Sequence, residues 1–146
     1  MATMPAEPLH QSAIGVDLSP RFFATAAVVG SPAAAAETII AQLTVNSNAA
    51  VATGVFLDGW AAYTVGTSGS AVQFKIRQTG LAGTTIAASG AMTGSQHGAA
   101  ILSADDISGL DTAPVLPGQV YVLTMQVTAG AAVSTVSATW LRAIVV

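Results

Sequence analysis

The sequence predicts an all-β fold: a β-sandwich, jelly-roll-like in topology, preceded by an extended N-terminal arm. Three observations carry that expectation. Short β-forming runs are separated by turns containing Gly and Pro, with no long helix between them. The strongest runs alternate apolar and polar residues with a period of two, as a strand with one buried and one wet face requires. Finally, 146 residues without a cysteine make one domain, large enough to bury a core without disulfides or thiolate-bound metal.

Taken in order, residues 1–20 contain Pro5, Pro8 and Pro20 and show no sustained period. They read as an extended arm laid along a neighbouring subunit, with the sandwich domain spanning residues 21–146. Residues 21–29 (RFFATAAVV) are the first expected strand, ended by Gly30-Ser31-Pro32. The alanines at 33–36 favour a helix one by one but are too few to nucleate it, so a loop or single turn is expected. Residues 38–45 (TIIAQLTV) form a β-branched strand stopped by Asn46-Ser47-Asn48.

Residues 54–78 are the centre of the chain. They read as two strands of a hairpin joined by the small-residue turn 66–70, and in the second strand Gln73, Lys75 and Arg77 alternate with Val72, Phe74 and Ile76. A turn at 79–83 leads to a short strand at 84–88. Residues 89–113 hold four glycines and little periodicity, so they are expected to be a long loop with a short strand near 99–102. The turn 114–118 launches 119–127, where Tyr121, Leu123, Met125 and Val127 share one face. In 133–146, Trp140, Arg142, Ile144 and Val146 alternate with Leu141, Ala143 and Val145, so the chain is expected to finish inside a sheet.

The charge content is the anomaly. Only 8% of residues are charged, against roughly 25% in ordinary soluble domains. Hydrophobic residues reach 52% and mean hydropathy +0.64, yet aromatics are only 5%, so Ala and Val carry the apolarity. A spanning helix needs about 20 mostly apolar residues, and every charge-free stretch here is broken by Gly, Thr, Ser or Gln. A transmembrane barrel would want aromatic girdles that this composition does not supply. No membrane association is therefore expected, and residues 1–20 lack the basic start and apolar run of a signal peptide. The four basic residues, Arg21, Lys75, Arg77 and Arg142, are too scattered for a nucleic-acid patch. A bare monomer with so few charges would tend to self-associate, which favours a subunit whose surface is covered by copies or partners.

No catalytic motif is present. Ser95, His97 and Asp105 can be written as a triad, but no G-x-S-x-G elbow positions a serine, and a solvent-exposed loop histidine is the preferred reading of His97. His10 is the other histidine. Asp105, Asp106 and Asp111 offer carboxylates for a cation without matching an EF-hand spacing, and a solvated loop explains them as well. Asp58, just before Gly59, reads as a bulge or turn residue rather than half of a glycosidase pair. Trp60, Tyr63, Tyr121 and Trp140 suit a sugar-stacking platform, although core or interface anchors are the commoner role. No cofactor is expected, and the chain is read as a non-enzyme.

The segments GVFLDGWAAYTVGTSGSAVQFKIRQTGLAGTTIAASGAM and LPGQVYVLTMQV resemble small virion proteins of tailed phages, in which a β-sandwich follows an N-terminal arm. Among them the chain is most similar to capsid decoration (cement) proteins, over roughly residues 38–146. That resemblance implies a homotrimer clamping the major capsid protein from the outer surface of the virion. It also implies lattice contacts from the arm (Met4, Leu9, Ile14, Val16) and from residues 89–113, and trimer anchors among Phe22, Trp60 and Trp140. A trimeric tail-fibre or receptor-binding head is the alternative it leaves open.

Overall fold

The computed structural model describes residues 21–24, 35–45, 54–65, 70–92, 102–114, 116–130 and 133–146. These contain eight strands: β1 (Arg21–Ala24), β2 (Glu37–Val45), β3 (Val55–Val65), β4 (Ala71–Gln78), β5 (Thr85–Ala88), β6 (Leu102–Asp111), β7 (Gln119–Ala129) and β8 (Val133–Val145). They form two four-stranded sheets, ordered β1-β8-β3-β6 and β2-β7-β4-β5, with every pairing antiparallel. The pairs β1·β8, β2·β7, β3·β6 and β4·β5 nest like one long hairpin folded at β4–β5, with alternate pairs falling in alternate sheets. That is the jelly-roll arrangement. Among the described residues there is no helix long and apolar enough to cross a membrane.

The core lies between the sheets. Val55, Leu57, Ala61, Tyr63 and Val65 of β3 and Leu141, Ala143 and Val145 of β8 meet Val72, Phe74 and Ile76 of β4 and Tyr121, Leu123, Met125 and Val127 of β7. These are the inward positions of the period-two pattern in β4, β7 and β8. A bulge between Ile39 and Ala41 puts both Ile40 and Ala41 inside. Such a bulge interrupts the ladder and leaves a carbonyl to satisfy. The Thr139 hydroxyl of β8 supplies the donor, bonding the Ile40 carbonyl at 2.9 Å from the facing sheet.

Two expectations are corrected. Residues 54–78 are two strands but not a hairpin: β3 pairs with β6 and β8, while β4 pairs with β5 and β7 in the other sheet. A link of this length can turn within a sheet or step across the roughly 10 Å between sheets. Pairing with distant strands selects the step, and the Tyr63 and Phe74 rings then face each other across the core at 5.6 Å. The second correction is β6. A ten-residue strand runs through most of the expected loop, in unbroken register with β3 from Val55↔Asp111 to Thr64↔Leu102. Its inward side holds Asp105, Gly109 and Asp111 beside a single Ile107, so the usual apolar alternation is missing. Residues 1–20 and 93–101 lie outside the described residues.

Candidate functional site

The two outer faces of the sandwich differ in chemistry, and the contrast locates the candidate site. On the second sheet, β4 presents Gln73, Lys75 and Arg77 outward. Arg77 grips Glu37 with two bonds, Nε to Oε1 at 2.6 Å and Nη2 to Oε2 at 2.9 Å. The Thr124 hydroxyl donates to Glu37 Oε1 at 2.6 Å, and Lys75 stands 3.4 Å from Oε2. The Arg77 guanidinium, followed by Thr124 and Lys75, draws the Glu37 carboxyl from 4.5 to about 2 against the desolvation that opposes it. The Glu37 carboxylate raises Arg77 in turn. This face is polar, with one carboxylate shared by two cations.

The outer face of the first sheet is largely apolar. Cross-strand register arranges it in rows across β8, β3 and β6: Ile144-Phe56-Leu110, Arg142-Asp58-Ser108, Trp140-Trp60-Asp106 and Ala138-Ala62-Ala104, followed by Thr64-Leu102 on β3 and β6. Phe56, Leu102 and Leu110 are exposed, the last two by more than half, as is Val146 beyond β8. Trp60 and Trp140 stand directly opposite each other and half-buried. Asp58 accepts from Arg142 Nη2 at 2.6 Å, and the Arg142 guanidinium lies 5.6 Å from the centre of the Trp140 ring. Among the described residues the ion pair of this face is thus self-compensated, and Asp106 sits on the edge strand.

The structure separates the candidate residues the sequence singles out. Trp60 and Trp140 come together on the outer face. Tyr63 and Tyr121 are in the core, so the four aromatics do not make one sugar platform. Phe22 takes part in β1 opposite Ala143. Asp58 is a mid-strand residue in regular register with Arg142 and Ser108, neither bulge nor turn, because its cationic partner is the cross-strand neighbour. Met4, Leu9, Ile14, Val16, His10, Ser95 and His97 lie outside the described residues.

The three aspartates of β6 do not converge. Asp105 accepts a hydrogen bond from the Tyr63 hydroxyl, and Asp111 accepts from the Tyr121 hydroxyl at 2.8 Å and from the Ala113 amide at 3.0 Å. Asp106 points outward. Among the described residues no group of three acids or histidines is placed to hold a metal. Burial, reinforced by the bond to and charge of its aspartate, raises each tyrosine well above the ordinary phenol range. Sequence reasoning missed Phe56, Leu102, Leu110, Ala104 and Ala138 as surface features. The outward alternation Leu102, Ala104, Asp106, Ser108, Leu110 was the available signal.

Fold and face together define a class: a jelly-roll sandwich with one polar and one apolar outer face. No family model matches the chain, and no curated protein matches it. Solved structures with some likeness include a chain from the disulfide-linked pili of Bacillus endospore appendages, at 15% identity and a TM-score of 0.42, covering 88% of this chain and 90% of that one. The VP2 subviral particle of infectious bursal disease virus is similar at 14% identity and a TM-score of 0.44, over 98% of this chain and 46% of VP2. The Gx strain of the same virus gives 12% and 0.46, over 87% of this chain and 29% of that one. Values this low carry no functional argument, and the reading below rests on the chain itself.

Proposed function

We propose that this protein is a non-enzymatic structural protein of a virion, a decoration subunit that binds the outer capsid lattice and stabilises it. The observation behind this reading is the apolar outer face of the first sheet, in which the Arg142–Asp58 pair is neutralised internally. Exposed apolar patches beyond a few hundred Å² mark interaction surfaces. Lattice stabilisation needs buried area repeated over many copies, and avidity then multiplies weak contacts. In this reading the arm, through Met4, Leu9, Ile14 and Val16, grips the major capsid protein while the sandwich meets its own copies. Co-sedimentation with undecorated shells of the encoding virus tests it. The full chain is expected to bind; a chain lacking residues 1–18 should keep its thermal unfolding and lose binding. Failure of the full chain to bind overturns the reading, and binding by the shortened chain overturns the role of the arm.

A receptor-binding head is the second reading, favoured by the adjacency of Trp60 and Trp140 beside Asp58 and Arg142, a grouping able to stack on and hydrogen-bond a glycan. These are the chain's two tryptophans, so their fluorescence reports glycan binding directly.

A further inference from the structure

Strand β6 lies at the edge of its sheet with half of its main chain unused. Gly54 and Val146 exchange both of their main-chain bonds, Gly54 N to Val146 O at 3.1 Å and Val146 N to Gly54 O at 3.0 Å. Antiparallel partners alternate from that point, so the main-chain groups of Phe56, Asp58 and Trp60 face β8, and those of Val55, Leu57, Gly59 and Ala61 face β6. On β6 the residues that answer them are Asp111, Gly109, Ile107 and Asp105. The N–H and C=O groups of Leu102, Ala104, Asp106, Ser108 and Leu110 point the other way, and all five residues are exposed. β5 meets β6 at Gly109 but belongs to the other sheet, so among the described residues no strand takes these groups. Open edges are commonly guarded by brevity, proline, lysine or a bulge. This one is ten residues long, LSADDISGLD, in unbroken register with β3 and without proline or lysine. Its guards are its acids, and they select what can pair there.

We infer that β6 pairs with β6 of a second copy, antiparallel about a twofold axis beside Ile107, joining the two first sheets into one. The strand's own sequence is complementary to itself in that register. Main-chain bonding in phase permits only steps of two residues between registers. An axis at Asp105 or at Asp106 sets that aspartate against its own copy, and an axis at Ser108 sets Asp105 against the partner's Asp111. Like charges directly opposite are destabilising. Axes at Ala104 or Gly109 separate the acids but overlap only half of the strand. With the axis at Ile107 the overlap is nearly complete and no two acids are opposed. Asp106 faces the partner's Ser108, a carboxylate opposite a hydroxyl donor, and symmetry repeats the contact. Ala104 faces the partner's Leu110, and Asp105 faces the partner's Gly109. Ser103 comes opposite the partner's Asp111. Its hydroxyl is buried without a hydrogen-bond partner among the described residues, and here it meets a carboxylate across a close pair. The pairing stands on the edge alone and needs no capsid.

Sedimentation equilibrium and amide hydrogen exchange on the full chain test it. The expected species is a dimer in which the amides of Ala104, Asp106, Ser108 and Leu110 exchange as slowly as those of Asp105 and Ile107. A monomer at all soluble concentrations, a trimer, or a dimer in which those amides exchange freely overturns it. Ser108→Pro removes an N–H that β3 does not use, so thermal unfolding should stay near that of the unaltered chain. Association should weaken roughly tenfold or more, and an undiminished dimer overturns the pairing. Two double variants at exposed positions decide the register whether or not the proline variant folds. Ala104→Lys/Leu110→Lys opposes lysines across the axis and should be monomeric. Ala104→Lys/Leu110→Glu opposes lysine to glutamate and should remain a dimer. Equal association of the two overturns the register. So does a monomer whose edge amides become protected only on capsid shells, which would give the edge to a strand of the lattice.

Discussion

The Tyr121 hydroxyl of β7 donates to the Asp111 carboxylate at the end of β6, at 2.8 Å, and so ties the edge strand of one sheet to the centre of the other. Within the first sheet, Tyr63 of neighbouring β3 makes a second such bond, to Asp105 nearer the start of β6. The edge strand is therefore held by two phenol–carboxylate contacts where most strands are held by apolar side chains. Tyr121→Phe leaves the buried Asp111 carboxylate without one of its donors. The expected cost is about 1–3 kcal/mol, read as a lowered urea midpoint with unchanged slope. An unchanged midpoint would show that the bond contributes nothing net.

Tyr63 and Tyr121 are the chain's two tyrosines, so an ultraviolet titration sees only these pairs. Both phenols are raised above their unfolded value near 10. A raised group stabilises the fold fully below the unfolded pKa, and that contribution is lost as pH climbs above it. Tyrosinate absorbance should thus stay low above pH 10 and appear together with loss of structure. Smooth ionisation near pH 10 in the folded protein would contradict the pairing.

Glu37 works in the opposite direction. Its carboxyl is depressed from 4.5 to about 2, so its contribution is present above pH 4.5 and is lost as pH falls toward 2. Its side chain is only 16% exposed, yet some solvent screening remains, so about 2 kcal/mol is expected rather than the full value of the shift. Stability of Glu37→Gln, measured by denaturant titration from pH 6 to pH 2, should fall less steeply than that of the unaltered chain. Parallel curves would refute the assignment.

Gly109 lets the edges of the two sheets close. A Cβ there would stand 2.7 Å from the Ala87 Cβ of β5, a rigid group with no side-chain torsion to relieve the clash. Gly109→Ala should cost about 1–3 kcal/mol in denaturant unfolding, since overpacking forces backbone to move. Arg142→Ala, by contrast, removes an ion pair whose cation is 45% exposed. Its expected cost in the same assay is below about 1 kcal/mol.

By itself the sequence determined which side chains of β4, β7 and β8 share a face, and with them the all-β sandwich. Their inward positions are apolar, and a period of two encodes the face of a strand directly. The scarcity of charge likewise follows from composition alone. Strand partners are a different kind of information. Which sheets take β3 and β4 depended on pairing with β6, β8, β5 and β7, none of which the link at 66–70 encodes. Strand β6 was illegible because Asp105, Gly109 and Asp111 fill inward positions that only tertiary structure makes tolerable. Their carboxylates are satisfied by hydroxyls from residues 42 and 10 positions away in the chain. The apolar outer face was decided the same way, because a face three strands wide exists only once β8, β3 and β6 lie side by side.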